Sequence, residues 1–286
     1  MNELIQKLID NYKNGDVTIR LIFTCVAVFL VNVLVNFIFS RFGGLQLENF
    51  FAAESGFSGF LKQPWGVISY LFFHGNLLHL LLNMLMIYFI GQLFLRYFRP
   101  ADFLVFFFFG AFSGALAFMV FADILNYYGQ LVGASAAVYA IFFALVAYVP
   151  KTKVQLFLLN FNIPLDYISY ALLAFDIYSI ISGNNSGGHI SHLGGAAFGY
   201  LYMKQFEKGN DFLGKLVHKI STKPLKPKQR AHRPRKTPPR DDYEFNAHKL
   251  KKQKEIDKIL DKISRSGYES LSKEEKDILF NAGKNG

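Results

Sequence analysis

The chain has 286 residues, of which 52% are apolar, and it contains 32 Phe and 15 Tyr. This composition excludes an ordinary soluble globular domain. The single cysteine, Cys25, excludes an internal disulfide, and no Cys/His spacing typical of a metal site occurs, so neither metal nor cofactor is expected. The net charge is +10, and residues 207–286 hold 21 Lys or Arg and 12 Asp or Glu, which accounts for +9. The sequence therefore predicts an apolar membrane domain followed by a basic soluble tail.

Six apolar segments are candidate membrane helices, each of which needs roughly 20 mostly apolar residues. They lie at about 20–40, 70–95, 102–122, 135–149, 165–182 and 190–206. The predicted fold class is an all-α polytopic membrane protein with six transmembrane helices and a soluble basic C-terminal tail. The predicted domains are a cytoplasmic N-terminal segment (1–19), the membrane domain (20–206), a basic Pro-rich linker (207–248) and a small helical hairpin module (249–286).

Positive charge is concentrated in alternate loops between these segments. It lies before the first, between the second and third, between the fourth and fifth, and after the sixth, at Lys7, Lys13, Arg20, Arg96, Arg99, Lys151, Lys153, Lys204 and Lys208. The opposite loops contain only Lys62, apart from Arg41 at a helix end. Because Lys and Arg are retained on the cytoplasmic side, we expect a multi-pass protein of the cell membrane with both termini in the cytoplasm.

The fourth segment is short for a membrane helix. Its residues 135–149 cover only about 22 Å of a hydrocarbon core that is about 30 Å thick. If Lys151 and Lys153 hold its cytoplasmic end at the surface, Ser135 lies below the outer surface. Residues 127–134 are then expected to enter the membrane as irregular backbone that lines a watery cavity.

A serine and a histidine stand where two of these segments begin. Ser135 opens the fourth, and His192 opens the sixth, with Gly195 and Gly199 on the same helical face. Small residues at this spacing let two membrane helices approach closely, which would bring His192 beside Ser135. A histidine that is hydrogen-bonded to a serine can act as its base. The alternative is that both residues only cap their helices.

The second segment carries a polar pair, His79 and Asn83, one helical turn apart. Each can donate a hydrogen bond to a developing oxyanion, and the backbone N–H of Ser135 can add another. The alternative interpretation is a polar pair that only holds helices together.

Together these motifs resemble the rhomboid family of intramembrane serine proteases over about residues 20–206. The matching residues, in the expected order and on the expected segments, are Pro64-Trp65, Phe73-His74-Gly75-Asn76, His79, Asn83, Gly133, Ser135, Tyr139, His192 and Gly195. The resemblance implies that Ser135 is the nucleophile and His192 the general base. It also implies an oxyanion hole of His79, Asn83 and the Ser135 amide, a supporting role for Tyr139 beside the histidine ring, and a place for Gly133 in the serine loop.

Two positions depart from the family's pattern. Ala136 stands where a glycine often follows the serine, which matters only if that position needs a positive φ. Gly66 follows Trp65 where some members have an arginine, so an arginine-mediated anchor of this loop is absent.

Two further polar residues compete for roles in this site. His189 lies one turn before His192, but the register of Gly195 and Gly199 favours His192 as the base. Asp176 is the one acid well inside a segment and invites a Ser-His-Asp triad. Because the resemblance implies a dyad, a hydrogen bond that packs helices together is the favoured interpretation of Asp176.

In the tail, Ser272 and Glu275 have the spacing of a capping box, which predicts a helix start within the hairpin module. The sequence indicates no particular partner for this module.

The predicted function is that of an intramembrane serine endopeptidase, which cleaves single-span membrane proteins near the outer membrane face with a Ser-His dyad. Transmembrane protein substrates and membrane lipids are the expected partners, and nucleic acid is not. The alternative is an inactive rhomboid-like protein that binds membrane clients, which a missing serine or histidine would mark. A transporter is disfavoured, because it would show charges in several segments or paired broken helices.

Overall fold

A computed structural model of the chain describes residues 2–40, 44, 46–155 and 162–221, and in the C-terminal part residues 259, 262–263, 270–272 and 275–276. The contacts divide the chain into two compact units, Met1–Lys223 and Pro224–Gly286. Most of the predicted linker (207–248) and of the predicted hairpin module (249–286) therefore lies outside the described residues.

The first unit is mostly helical. Its helices are α1 Asn2–Asn14, α2 Val17–Phe39, α3 Leu47–Phe51, α4 Gly56–Lys62, α5 Gly66–Ser69, α6 Leu77–Leu95, α7 Pro100–Leu125, α8 Ser135–Tyr148, α9 Leu165–Ile181, α10 Ser186–Phe206 and α11 Phe212–Ser221. Its strands are β1 Ala53–Glu54, β2 Gln130–Leu131, β3 Lys153–Gln155 and β4 Asn162–Pro164, and they form two small antiparallel ladders, β1–β2 and β3–β4. These ladders were not predicted from the sequence.

Within the described residues, three helices are long and apolar enough to cross a membrane, namely α2, α6 and α7. Helix α8 is apolar but shorter, with 14 residues. The second of the three begins at Leu77, several residues after the predicted start near residue 70. The reason is local, because the Asn76 side chain caps α6 by accepting a hydrogen bond from the His79 backbone N–H at 2.8 Å.

The segment between α7 and α8 is not helical, as predicted for residues 127–134. Asn126 ends α7 in the left-handed conformation at φ 50°. The chain then pairs Leu131 with Ala53 in the β1–β2 ladder. Just before α8, the Gly133 backbone N–H donates to the Tyr70 carbonyl at 3.0 Å. The segment is thus held by backbone hydrogen bonds to the loop that precedes α6, and it delivers the chain to Ser135.

Helix α8 lies at the centre of the unit. It packs most extensively against α10 and α7, and every residue from Ala136 to Ala147 is buried. Large aromatic side chains fill the space around it, and Phe103, Phe106 and Phe107 of α7 are completely buried. A short helix surrounded on all faces is unable to tilt freely, so the position of its first residue is set by its neighbours.

Small residues allow the neighbouring helices to approach α8 closely. A Cβ atom added at Gly195 or Gly199 of α10 would meet the carbonyls of Ala136 or Ala140 of α8. The predicted close approach through the two glycines is therefore confirmed. On the other side, Gly110 and Gly114 of α7 leave room for the methyl groups of the same two alanines. Two glycines of α10 and two of α7 thus let these helices approach α8 closely on two of its faces.

Helix α11 follows the last apolar helix and belongs to the first unit. The Tyr202 hydroxyl of α10 donates to the Asp211 carboxylate at 2.7 Å, and Leu213 is buried. The compact unit therefore continues beyond residue 206, where the sequence analysis placed the start of the linker.

In the second unit, the predicted capping box is present. The Ser272 backbone N–H donates to the Glu275 carboxylate at 2.8 Å, and the Glu275 N–H donates to the Ser272 hydroxyl at 3.2 Å. Lys262 binds the same carboxylate at 2.8 Å, and this hydrogen bond holds the pKa of Glu275 below its ordinary value. These contacts join two parts of the unit that lie 13 residues apart.

We expect Gly199→Ala to lower the free energy of unfolding by about 1–3 kcal/mol, because the new methyl group collides with the Ala140 carbonyl. Without the collision the substitution would raise stability, since alanine is the better helix former. Thermal unfolding in detergent measures the change. The matched control is Gly75→Ala, where an added Cβ has nothing within 4 Å and stability should be unaffected. A Gly199→Ala protein as stable as the wild type would contradict the close packing of α10 on α8.

Candidate active site

The structure brings Ser135 and His192 into direct contact. Ser135 is the first residue of α8 and His192 lies in the second turn of α10. Ser135 Oγ and His192 Nε2 are 2.8 Å apart, which is hydrogen-bonding distance. The contact depends on the close approach of the two helices, because Gly195 lies one turn beyond His192 and rests against Ala136, the neighbour of Ser135.

Two side chains fix the orientation of the His192 ring. The Tyr139 ring of α8 stacks on it, with centroids 4.4 Å apart and planes inclined by 20°. On its other nitrogen, His192 Nδ1 lies 2.9 Å from Oδ1 of Asp176. The ring is thus held by a flat contact and by hydrogen bonds at both nitrogens. The predicted place for Tyr139, beside the histidine, agrees with this geometry.

His189 does not compete for the serine. Its Nδ1 lies 2.6 Å from Asp176 Oδ1, and its ring packs edge-on against that of His192 at a centroid distance of 5.4 Å. Among the described contacts, His192 is the histidine that shares a hydrogen bond with Ser135. The glycine register therefore selected the histidine that the structure places beside the serine.

Asp176 is the residue whose position the sequence analysis underestimated. The side chain is completely buried, and one oxygen serves both His189 and His192. It does join α9 to α10, as predicted, but it does so through the histidine that contacts Ser135. A signal was present in the sequence. An acid inside one apolar segment and two histidines one turn apart in the next are costly in a membrane unless they pair with one another.

The polar pair of α6 lies on the other side of the serine loop. The His79 ring lies directly beside Gly133, and an added Cβ at Gly133 would approach two of its atoms to 2.7 Å. Gly133 itself has φ +117°, which only glycine adopts readily. Asn83 is buried, and its Nδ2 donates to the His79 carbonyl at 2.9 Å. The structure therefore brings His79 to the loop, whereas the described contact of Asn83 is with its own helix.

The two departures from the family's pattern have structural explanations. Ala136 is helical, and its methyl group fits against Gly114 of α7, so no positive φ is needed there. Gly66 lies against the Ala52 carbonyl, where any side chain would collide. Trp65 anchors the loop instead, because its indole N–H donates to the Phe50 carbonyl at 2.7 Å.

Asp176, His189 and His192 also present three ligand atoms within 4.8 Å of one another, a spacing that could hold a metal ion. Both histidines approach Asp176 through Nδ1 and share its Oδ1. A metal ion bound there would have to replace both hydrogen bonds, so the arrangement of this cluster is already explained by hydrogen bonding alone.

The site is thus a partly buried serine–histidine pair within a bundle of apolar helices, which is the arrangement that the resemblance to the rhomboid family predicts. Comparison with protein families agrees, because the model of the Rhomboid domain matches residues 61–206, about half of the chain. The chain therefore belongs to the rhomboid family, whose members are generally intramembrane serine proteases. A second model, described as a family of unknown function, matches residues 241–284. A comparison with curated proteins gave no match.

We expect Tyr139→Ala to slow the reaction of Ser135 with a fluorophosphonate, a reagent for activated serines, by about tenfold. An aromatic contact is worth about 0.5–1.5 kcal/mol, and its loss frees the His192 ring. Tyr139→Phe keeps the stacked ring and should react within about threefold of the wild type. The matched control is Phe143→Ala, which removes the ring that stacks on Tyr139 from the far side and leaves His192 covered. Equal rates for Tyr139→Ala and the wild type would show that stacking does not orient the histidine.

Proposed function

We propose that this chain is an intramembrane serine endopeptidase that cleaves single-span membrane proteins near the outer membrane face. The observation that carries the proposal is the 2.8 Å contact between Ser135 Oγ and His192 Nε2. In this proposal Ser135 is the nucleophile and His192 the general base. A serine hydroxyl is a weak nucleophile until a base removes its proton, and such a base contributes roughly 10²–10⁴-fold to the rate.

The reaction is an ordinary acyl transfer. Ser135 Oγ attacks the peptide carbonyl while its proton moves to His192 Nε2, and the carbonyl oxygen becomes an oxyanion. His79, Asn83 and the Ser135 backbone N–H are the proposed donors to that oxyanion. The oxyanion then collapses, and the C–N bond breaks as His192 gives the proton to the leaving amine, which leaves an acyl-enzyme. In the second half His192 takes a proton from water as the water attacks the acyl carbon, and the C–Oγ bond breaks as His192 returns that proton to Ser135.

We further propose that six helices, α2 and α6 to α10, span the bilayer with both termini in the cytoplasm of a cell-membrane protein. The charges at the end of α8 opposite Ser135 support this orientation. Lys204 donates to the Ala147 carbonyl at 2.6 Å, and Lys151 pairs with Asp166 at 2.5 Å. Because lysines are kept on the cytoplasmic side, Ser135 faces the outer side.

The length of α8 supports a site below the outer surface. Its 14 residues span about 21 Å, which is less than the about 30 Å of the hydrocarbon core. The non-helical segment that ends at Gly133 then lines a recess that gives water access to Ser135. Transmembrane protein substrates and lipids are the proposed partners, with no role for nucleic acid. The C-terminal unit is proposed to be a separate module attached to this membrane domain.

The activity is tested by mixing the purified full chain in detergent with a panel of single-span proteins and following cleavage. Ser135→Ala and His192→Ala should each abolish cleavage, because the two side chains act as one unit, and the double variant should be no worse than either. The control is His189→Ala, which should retain activity. If His192→Ala kept near-full activity and His189→Ala lost it, the assignment of the base would be wrong. If the wild type neither cleaved any protein nor reacted with a fluorophosphonate, an inactive client-binding member of the family would be indicated.

The substrate preference provides a second test. A helical peptide bond is shielded, so Ser135 can attack only an extended segment. Substrates should therefore carry Gly, Pro or other weak helix formers in the outer part of the span, with a small residue before the cut. Mass spectrometry of the products locates the cut. A cut on the cytoplasmic side, or a preference for a bulky residue before it, would contradict the proposed orientation and site.

A further inference from the structure

The carboxylate of Asp176 is the feature that a serine–histidine dyad does not require. It lies inside α9, is fully buried, and is reached by His192 Nδ1 at 2.9 Å and by His189 Nδ1 at 2.6 Å. A lone buried carboxylate in a membrane costs several kcal/mol. Asp176 instead contacts two histidines, and one of them, His192, is hydrogen-bonded to Ser135.

We propose that Asp176 is a positioning residue that turns the dyad of this chain into a Ser135–His192–Asp176 triad. This inference rests on the function proposed above. In this arrangement Asp176 Oδ1 accepts a hydrogen bond from Nδ1–H of His192. The free lone pair of the imidazole is then on Nε2, the atom that lies 2.8 Å from Ser135 Oγ. A histidine whose other nitrogen is fixed in this way is always presented to the serine in the tautomer that can accept a proton.

The charge of Asp176 acts in the same direction as its geometry. When the serine proton moves to Nε2, His192 becomes an imidazolium, and the carboxylate at Nδ1 stabilises that cation in a medium of low polarity. No proton moves to Asp176 in this step; the proton is held on His192 until the leaving amine takes it. Asp176 therefore favours the state that forms during acyl transfer over the resting state.

His189 completes the arrangement without reaching the reacting atoms. Its Nδ1 reaches the same oxygen that His192 reaches, so Oδ1 keeps one partner even when the His192 ring moves, whereas Oδ2 has no hydrogen-bond partner among the described residues. Its edge-on contact with Phe175 of α9, at a centroid distance of 5.5 Å, holds the His189 ring against that helix. The triad is thus built from three helices, with Ser135 on α8, Asp176 on α9 and His192 on α10.

The decisive variant is Asp176→Asn, which keeps the size of the side chain and removes its charge and its fixed acceptor. With EDTA present to keep metal ions off the cluster, we expect kcat to fall about 10²-fold while KM stays within about threefold. The matched control is Asp166→Asn, the same substitution at another buried acid of α9, which pairs with Lys151 far from the serine and should leave kcat unchanged. A kcat for folded Asp176→Asn within about threefold of the wild type would overturn the triad and leave Asp176 as a helix-packing residue.

A second measurement needs no Asp176 variant and so remains decisive if that variant fails to fold. Nitrogen-15 NMR of histidine-labelled wild type, with the His192 signals assigned by their loss in His192→Ala, reports which ring nitrogen carries the proton. We expect Nδ1–H with an unprotonated Nε2 at neutral pH, and the opposite tautomer would overturn the proposal. The proposed function and the triad can be rejected independently. Cleavage that survives Ser135→Ala would reject the proposed function, whereas cleavage that needs Ser135 but not Asp176 would reject only the triad.

Discussion

The contact on which the rest of this structure depends is the close approach of α10 to α8. Gly195 and Gly199 rest on the carbonyls of Ala136 and Ala140, and no side chain intervenes. In a membrane, where lipid is as apolar as leucine, helices associate through such close backbone packing rather than through a hydrophobic driving force. The short distance from Ser135 to His192 is a direct result, because Ser135 begins α8 beside Ala136, and His192 lies one turn before Gly195 on α10.

Once the helices are in contact, the polar side chains form a continuous chain in an apolar surrounding. Ser135, His192, Asp176 and His189 are linked by hydrogen bonds of 2.6 to 2.9 Å. Each is costly to bury alone, and together they supply one another with hydrogen-bond partners, although Asp176 Oδ2 has none among the described residues. The network also couples the helices mechanically, since a shift of α9 would move Asp176 and thereby release the histidine ring. The same hydrogen bonds that offset the cost of burying these polar residues thus hold His192 in contact with Ser135.

The loops contribute by holding the first turn of α8 in place. Gly133 hydrogen-bonds to the Tyr70 carbonyl, and its φ of +117° turns the chain into the helix beside the His79 ring. At the other end, Lys204 Nζ donates to the Ala147 carbonyl in the last turn of α8 at 2.6 Å. A helix of 14 residues that is fixed at both ends has a defined position relative to its neighbours. The proposed cut close to one membrane face depends on that position rather than on any single residue.

The sequence by itself determined the helical class, the apolar segments and the identity of the residues that meet. The spacing of Gly195 and Gly199 from His192 was enough to select it over His189, because helical periodicity fixes which residues share a face. The partner of Asp176 was decided only by the tertiary structure. An acid on α9 can face any neighbouring helix, and the sequence of α9 does not indicate which helix that is. The β1–β2 ladder was also beyond the sequence, since two-residue strands leave no periodic pattern. Helix α11 has apolar residues at helical spacing, at Leu213, Leu216 and Val217, but this pattern does not indicate which residues they meet. Local periodicity predicts which face a side chain occupies, whereas the residue it meets across the bundle depends on the packing of helices that are distant in sequence.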